Sequence, residues 1–298
     1  MVAFTLAAAA YPIDALADWA GYAAKLEHWV AEAAGAGARL LVFPEYGAME
    51  LAALDPATMG DLAASIDSVS ALLPRVDALH AELAARYGVH ILAASAPRRD
   101  ADGSARNAAR LFAPTGKSAT QDKLVMTRFE REIWHISPGA PLRLFETALG
   151  KIGVIICYDS EFPLLARALV EAGAEVLLVP SCTDSAHGYW RVRIGAQARA
   201  LEGQCYTVQS PTVGMADWSP AVDENHGAAG VFGPPDHGMP ADGVVALGVM
   251  NVPGWTYAQI DTANVHRLRG QGGVLNARHW AEQPGAEMLP AVEVVDLR

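Results

Sequence analysis

The stretch Gly153–Pro163, GVIICYDSEFP, ends an apolar run on a cysteine. Val154, Ile155 and Ile156 are β-branched, which is typical of a buried strand. Cys157 follows at once, before a polar segment, so it lies where the strand ends. A cysteine in this position is either a small buried side chain or a nucleophile presented at the edge of a sheet.

Strand and helix patterns alternate on both sides of this stretch. Apolar residues at helical spacing predict helices over 14–34, 61–87, 162–172 and 187–202, and Pro74 predicts a break in the second. Apolar runs between them predict strands. The main ones are Val2–Ala9, Arg39–Phe43, Val89–Ser95, Arg106–Phe112, Leu142–Thr147, Lys151–Cys157, Glu175–Val179, Cys205–Ser210, Ala228–Gly233, Gly243–Val249 and Trp255–Asp261. This alternation predicts an α/β layered architecture, and the chain 1–298 is expected to form one domain.

Composition narrows the partners and the compartment. The 298 residues carry a net charge of −11, which argues against nucleic acid or an anionic membrane as the main partner. The three cysteines are widely separated and include no CxxC pair, so we expect neither a disulfide framework nor a zinc site. For the same reason we expect a cytoplasmic location. The apolar run 2–9 has no Lys or Arg before it, which favours a strand over a signal peptide, and no apolar run is long enough to span a membrane.

Four reactive side chains follow predicted strands. Glu45 follows RLLVF, Cys157 follows KIGVII, Cys182 follows EVLLV, and Lys123 follows a strand-like KSATQD. Ligands bind beyond the carboxyl ends of strands in α/β sheets, so these residues are candidates for one site. Pattern alone does not choose between Cys157 and Cys182, whereas Cys205 lies within a strand and is expected to fill the core.

The segments LLVFPEYG, QDKLVMTRFE and GVIICYDSEFP resemble the nitrilase-like, or carbon–nitrogen hydrolase, superfamily, in which Glu, Lys and Cys occur in this order at strand ends. The resemblance covers about residues 2–261 and implies a four-layer αββα sandwich. It implies that Cys157 is the nucleophile, that Glu45 is the general base and acid, and that Lys123 stabilises the oxyanion.

The resemblance also implies a second glutamate that orients the lysine. Relatives place it seven residues before the Gly of a PG turn, and counting back from Gly139 gives Glu132, with Glu130 as the competing candidate. The backbone N–H of Tyr158 is expected to be a second oxyanion donor. Candidate walls of the substrate pocket are Tyr46, Trp134, Tyr158, Thr183, Trp190 and Trp218.

Two segments depart from the superfamily pattern. Relatives often have Asn-Arg-Val-Gly where this chain has Ser210-Pro-Thr-Val-Gly, and a serine where it has Ala229. Both segments commonly line or support the substrate site, so these departures leave the substrate open. Cys-Tyr-Asp after the strand is more similar to the small-amide hydrolases than to nitrilases with Cys-Trp-Glu.

We therefore expect an amidase that cleaves a small linear amide, ω-amides included, through a Cys157 thioester without metal or cofactor. The alternatives are a nitrilase, an N-carbamoyl amide hydrolase and a non-catalytic member that binds a metabolite or a partner. The resemblance implies a homodimer or larger homo-oligomer, with helix 187–202 or the tail 262–298 at the contact. The tail alternatively adds an edge strand within its own chain.

Overall fold

The computed structural model describes residues 1–288 and 290–298. The strands are β1 Ala3–Pro12, β2 Ala38–Val42, β3 His90–Leu92, β4 Ala96–Arg99, β5 Ala105–Phe112, β6 Ser118–Asp122, β7 Leu142–Thr147, β8 Gly150–Val154, β9 Val176–Ser181, β10 Tyr206–Met215, β11 Glu224–Asn225, β12 Gly230–Phe232, β13 Val244–Leu247, β14 Gly254–Asp261 and β15 Val292–Asp296. The helices are α1 Trp19–Gly35, α2 Leu62–Tyr87, α3 Pro163–Glu171, α4 Ala186–Gly203, α5 Thr262–Gln271 and α6 Asn276–His279.

The strands form two sheets that join along one short seam. The first sheet runs β14-β1-β2-β3-β5, and β4 and β6 also pair with β5. The second runs β15-β7-β8-β9-β10-β12-β13. At the carboxyl end of β1, Tyr11 and Pro12 pair with Thr212 and Val213 of β10 in parallel, and this pairing connects the two sheets.

Strand β1 shows how the layers form. Phe4, Leu6 and Ala8 pack into a core that also contains residues of the second sheet. Ala7 and Ala9 face the other way, into a cluster that contains α1 and α2. Successive side chains of a strand point to opposite faces, so one apolar strand serves both layers. Helices α3 and α4 cover the second sheet, and the predicted αββα sandwich is confirmed.

Helix α2 continues through Pro74, so the predicted break is wrong. Proline removes one backbone hydrogen bond, but Val69 and Val76 on either side of it are buried against the first sheet. Tertiary packing therefore outweighs the local preference. Asp61 caps the N-terminus of the helix, where its side chain accepts from the Ala64 N–H, and Gly88 at φ +66° ends the helix.

The tail forms part of its own chain's second sheet. Strand β15 pairs in parallel with β7, and Arg143 Nε lies 2.8 Å from Glu293 Oε2 across this pair. The tail is predicted either at a contact between subunits or as an edge strand of its own chain, and the structure contains the edge strand. The assignment of a single domain stays a prediction. Among residues 1–288 and 290–298, we find no helix that is both long and apolar enough to cross a membrane.

Candidate active site

The predicted strand-end residues meet where the two sheets approach each other. Glu45 follows β2 and Lys123 follows β6, both in the first sheet, whereas Cys157 and Cys182 follow β8 and β9 in the second. All four line one cavity of about 230 Å³. The cavity therefore spans the sandwich, with Glu45 and Lys123 on one sheet and the two thiols on the other.

Lys123 lies between two carboxylates at the base of this cavity. Its Nζ donates to Glu45 Oε1 at 2.7 Å and to Glu130 Oε2 at 2.6 Å. All three side chains are almost fully buried. A buried ammonium paired with two carboxylates leaves one net negative charge, which is the charge state of a site that can accept one proton.

The prediction that Glu132 orients Lys123 is wrong, because Glu130 occupies that position. Glu132 is exposed and pairs with Arg128 at 2.9 Å on the surface. Residues Phe129–Ile133 form a single π-helical turn, in which Glu130 faces the cavity and Glu132 faces solvent. Counting back from Gly139 does not take account of this π-helical turn, which decides the glutamate that faces Lys123.

Hydrogen bonds fix the Glu130 carboxylate from several sides. Tyr46 Oη donates to Oε1 at 2.8 Å, and the backbone N–H and hydroxyl of Thr127 both donate to Oε2 at 2.9 Å. Burial acts to raise the pKa of Glu130, but Lys123 and these donors together lower it. Glu130 therefore remains ionised and keeps Lys123 charged.

Asn107 is a member of the site that sequence reasoning missed. Its Nδ2 donates to Glu45 Oε1 at 2.9 Å, and its Oδ1 accepts from Ser95 Oγ at 2.6 Å, which assigns the amide orientation. Asn107 is fully buried in β5, where buried side chains mostly alternate with partly exposed ones. A fully buried amide in a strand requires partners, and that requirement was the available signal.

The pKa values of Glu45, Cys157 and Lys123 are all raised above their usual ranges. Burial raises the pKa of Glu45 above its usual range, against the opposing effect of Lys123. Burial and the Glu45 carboxylate raise the pKa of the Cys157 thiol well above its usual range. Burial alone would lower the pKa of Lys123, but Glu130 and Glu45 raise it well above its usual range. The resting state is therefore a neutral thiol beside a carboxylate with raised proton affinity and a permanent cation.

Two residues that line the cavity have their backbone in the left-handed region. Cys157 has φ +50°, and Tyr46, directly after Glu45, has φ +53°. Non-glycine residues in this region cost roughly 1–3 kcal/mol, so the surrounding contacts have to hold them. Ser160 Oγ donates to Cys157 O at 2.6 Å, and Ser95 Oγ accepts from Tyr46 N at 2.9 Å.

Cys182 contributes its backbone to the site. Its N–H donates to Glu45 Oε2 at 2.9 Å, and its carbonyl accepts from Cys157 Sγ at 3.9 Å. Burial raises the pKa of its thiol to about 12, so this thiol stays protonated. Cys157 differs from Cys182 in its left-handed backbone, and the Cys182 thiol lies 3.4 Å from Asn225 Oδ1.

Four of the predicted wall residues line the cavity, namely Tyr46, Trp134, Tyr158 and Thr183. Trp190 does not, and that prediction is corrected. It is 48% exposed on the outer face of α4, where the Arg193 guanidinium lies 4.8 Å from its ring centroid. Gly188 and Val192 of the same helix face the cavity, so a residue midway between them points away. Trp218 packs in the cluster with α1 and α2 and also lies outside the cavity lining.

The two departures from the superfamily pattern also lie outside the cavity lining. Ser210 Oγ lies 2.8 Å from Ala9 O and 2.9 Å from Val42 O, so its hydroxyl links β10 to the ends of β1 and β2. Ala229 is fully buried, and its carbonyl accepts from Gly248 N at 2.8 Å. Neither side chain forms a wall of the pocket.

The outer part of the cavity is acidic. Its lining includes the side chains of Glu161, Asp184, Asp223 and Glu224, against one cation, Arg191. Arg191 Nε lies 3.4 Å from Glu161 Oε1 and is neutralised by it. Three carboxylates on the rim therefore have no cation beside them within the cavity lining, and the rim has a negative potential. In the described part of the chain, no group of three or more His, Cys, Asp or Glu side chains is arranged to hold a metal ion.

A cysteine opposite a Glu–Lys–Glu cluster, at the strand ends of an αββα sandwich, defines the class of nitrilase-like hydrolases. The chain belongs to the carbon–nitrogen hydrolase family, whose model matches residues 5–240.

Two curated relatives and one solved structure illustrate the similarity. The chain is 34% identical to the probable hydrolase YhcX of Bacillus subtilis over 264 residues, which are 89% of this chain and 51% of that protein. It is 38% identical to the deaminated glutathione amidase of Bos taurus over 146 residues, which are 47% of this chain and 40% of that protein. The chain thus spans about half the length of the curated relatives it matches.

The solved structure is a mutant amidase from Nesterenkonia sp. AN1, with the acetamide moiety of fluoroacetamide added covalently to its active-site cysteine. It superposes with a TM-score of 0.65 at 20% identity and covers 88% of this chain and 92% of its own. Similarity at this identity shows the shared fold.

Proposed function

We propose that the protein is an amidase that hydrolyses a small linear amide to a carboxylate and ammonia through a thioester on Cys157. The observation that carries this proposal is the buried Glu45–Lys123–Glu130 cluster opposite the thiol. A binding protein gains nothing from burying three charges beside a strained cysteine, because the desolvation of those charges costs stability.

In the first half of the reaction, Glu45 takes the thiol proton as Cys157 Sγ attacks the amide carbon. The negative charge that develops on the amide oxygen is stabilised by the Lys123 ammonium and by the backbone N–H of Tyr158. Removing one such donor typically costs roughly 3–4 kcal/mol of barrier. Glu45 then gives its proton to the departing nitrogen, the carbon–nitrogen bond breaks, and ammonia leaves a thioester.

In the second half, Glu45 takes a proton from water, and the resulting hydroxide attacks the thioester carbon. The carbon–sulfur bond breaks, and the thiolate recovers its proton from Glu45. A carboxylate with a raised pKa suits both directions of transfer, because it accepts a proton more readily than an ordinary carboxylate and can still release it.

Within this class, the acidic rim favours neutral or cationic amides over substrates that carry a carboxylate. Three uncompensated carboxylates would repel the free acid group of an ω-amide of a keto acid. The ω-amides of amino acids, which also carry an ammonium, would be repelled less.

The test is ammonia release over a mixed panel of aliphatic amides, ω-amides, N-carbamoyl compounds and nitriles. We expect wild type to turn over a small amide and Cys157→Ala to be inactive. Cys205→Ala is the matched control, because Cys205 is also buried but lies in the core. Intact-mass measurement after rapid quenching should detect the acyl group on wild type.

The alternatives predict different outcomes. Turnover confined to nitriles or to N-carbamoyl compounds would replace the amidase proposal by one of these hydrolases, since the same residues serve those reactions. Folded wild type that releases no ammonia from any compound, or a Cys157→Ala variant that remains active, would refute the thiol mechanism.

A further inference from the structure

Asp159 is a buried carboxylate close to the nucleophile that the mechanism does not use. It is 1% exposed, and its hydrogen-bond partners in the described part of the chain are backbone N–H groups. Oδ1 accepts from Val125 N at 2.8 Å and from Leu124 N at 3.2 Å. Oδ2 accepts from Leu124 N at 3.2 Å and from Ile156 N at 3.3 Å.

These donors belong to opposite sheets of the sandwich. Leu124 and Val125 directly follow Lys123, which is carried by the first sheet. Ile156 directly precedes Cys157, which is carried by the second. One carboxylate thus ties the backbone beside the oxyanion-stabilising cation to the backbone beside the nucleophile.

Both oxygens of Asp159 accept hydrogen bonds. Each receives N–H groups, and an amide in the same place would turn its NH₂ towards at least one of them. An apolar residue would leave all three N–H groups without this acceptor. Burial raises the pKa of Asp159 to about 7, against the opposing effects of Lys123 and the backbone donors. Such a buried acid has a cost in stability that packing alone does not require.

We propose that Asp159 is a positioning residue that sets the distance between the Lys123 ammonium and the Cys157 thiol. Glu45 has its own link to the second sheet, through the backbone N–H of Cys182, so loss of Asp159 should displace Lys123 more than Glu45. The inference rests on the proposed function, because it assigns Asp159 to the same site. Its loss should slow the chemical step while substrate binding is retained, since Asp159 does not line the cavity.

The test is Asp159→Asn, with Glu50→Gln as the matched control. Glu50 is also a buried acid, but it bonds Tyr11 and Lys25, away from the cavity. We expect kcat of Asp159→Asn to fall about 10- to 100-fold with KM changed less than about threefold. Glu50→Gln should keep kcat within about twofold even if its melting temperature falls equally.

A second readout does not need a substrate. The rate of Cys157 alkylation by iodoacetamide, followed by peptide mass spectrometry, should fall several-fold in Asp159→Asn, because a displaced Lys123 stabilises the thiolate less. If wild type hydrolyses no compound on the panel, the proposed function fails and this rate alone tests Asp159.

Two outcomes would overturn the inference. One is a kcat and an alkylation rate of Asp159→Asn that match wild type. The other is an equal loss of kcat in both variants that follows their melting temperatures, which would make the role structural. If Asp159→Asn does not fold, Asp159→Glu is the second variant, because it keeps the carboxylate and adds one methylene to the link between the two sheets. A reduced kcat of Asp159→Glu at unchanged KM would support the inference. A wild-type kcat would overturn it.

Discussion

Replacing Glu130 by glutamine should show that Glu130, and not the nearby Glu132, supports Lys123. Glu130 Oε2 accepts from Lys123 Nζ at 2.6 Å in a buried pair. A hydrogen bond between charged groups contributes about 1.5–3 kcal/mol, so we expect kcat/KM of Glu130→Gln to fall about 10- to 150-fold. The charge of Glu130 also raises the pKa of Glu45. The acid limb of the rate profile should therefore move to lower pH in this variant.

Glu132→Gln is the matched control. Glu132 is half exposed, and its contact with Arg128 is a surface ion pair. Such exposed pairs contribute little to stability, and this one makes no contact with the cavity, so activity should stay within about twofold of wild type. Both variants are assayed by ammonia release on the best substrate of the panel from pH 5 to 9, with melting temperatures as a check on folding.

The reverse pattern would refute this reasoning. If Glu132→Gln lost activity tenfold while Glu130→Gln kept it, the π-helical turn would present the other carboxylate in the working enzyme. If both variants kept full activity, Lys123 would not depend on a second carboxylate.

Three further predictions follow from the rim, the core and the surface. Neutralising the carboxylate of an anionic amide as its methyl ester should lower KM several-fold, and the difference should shrink at high salt if the rim charge causes it. Burial lowers the pKa of His80 to about 4, so the unfolded chain binds this proton first and stability falls as pH drops from 6.5 towards 4. Urea unfolding should show a loss of about 2 kcal/mol at pH 5 from this group, absent in His80→Gln. The homo-oligomer stays a prediction. Ile194 is exposed on the outer face of α4, between exposed Trp190 and Leu201. If that face is the contact between subunits, Ile194→Glu should lower the molecular mass measured by light scattering.

Sequence reasoning worked best where one periodicity decides the structure. The apolar runs before Glu45 and Cys157 fix two strands, and the end of a strand fixes where the next side chain points. Resemblance then joined Lys123 to them, and the cavity contains all three.

The failures have local or tertiary causes. Counting along the chain from Gly139 predicts Glu132, but a single π-helical turn presents Glu130 instead. The usual local effect of Pro74 predicts a break in α2, but the packing of this helix outweighs it. Asn107 lies inside an ordinary strand, so only its partners in space reveal it. Trp190 lies on a helix whose sequence does not mark the face towards the cavity, and only the placement of Gly188 and Val192 shows that it points away.

The pairing of β1 with β14 has a consequence during synthesis. Ala3 to Ala10 pair with residues of Gly254–Asp261, so one edge of β1 gains its partner roughly 240 residues after β1 itself is made. At 5–20 residues per second, the ribosome needs about 12–50 s to supply that partner. Throughout this interval the segment AFTLAAAA offers an uncharged, unpaired strand edge to other nascent chains. Yield in the cell should therefore depend on chaperone capacity, and translation products that stop before residue 254 should aggregate.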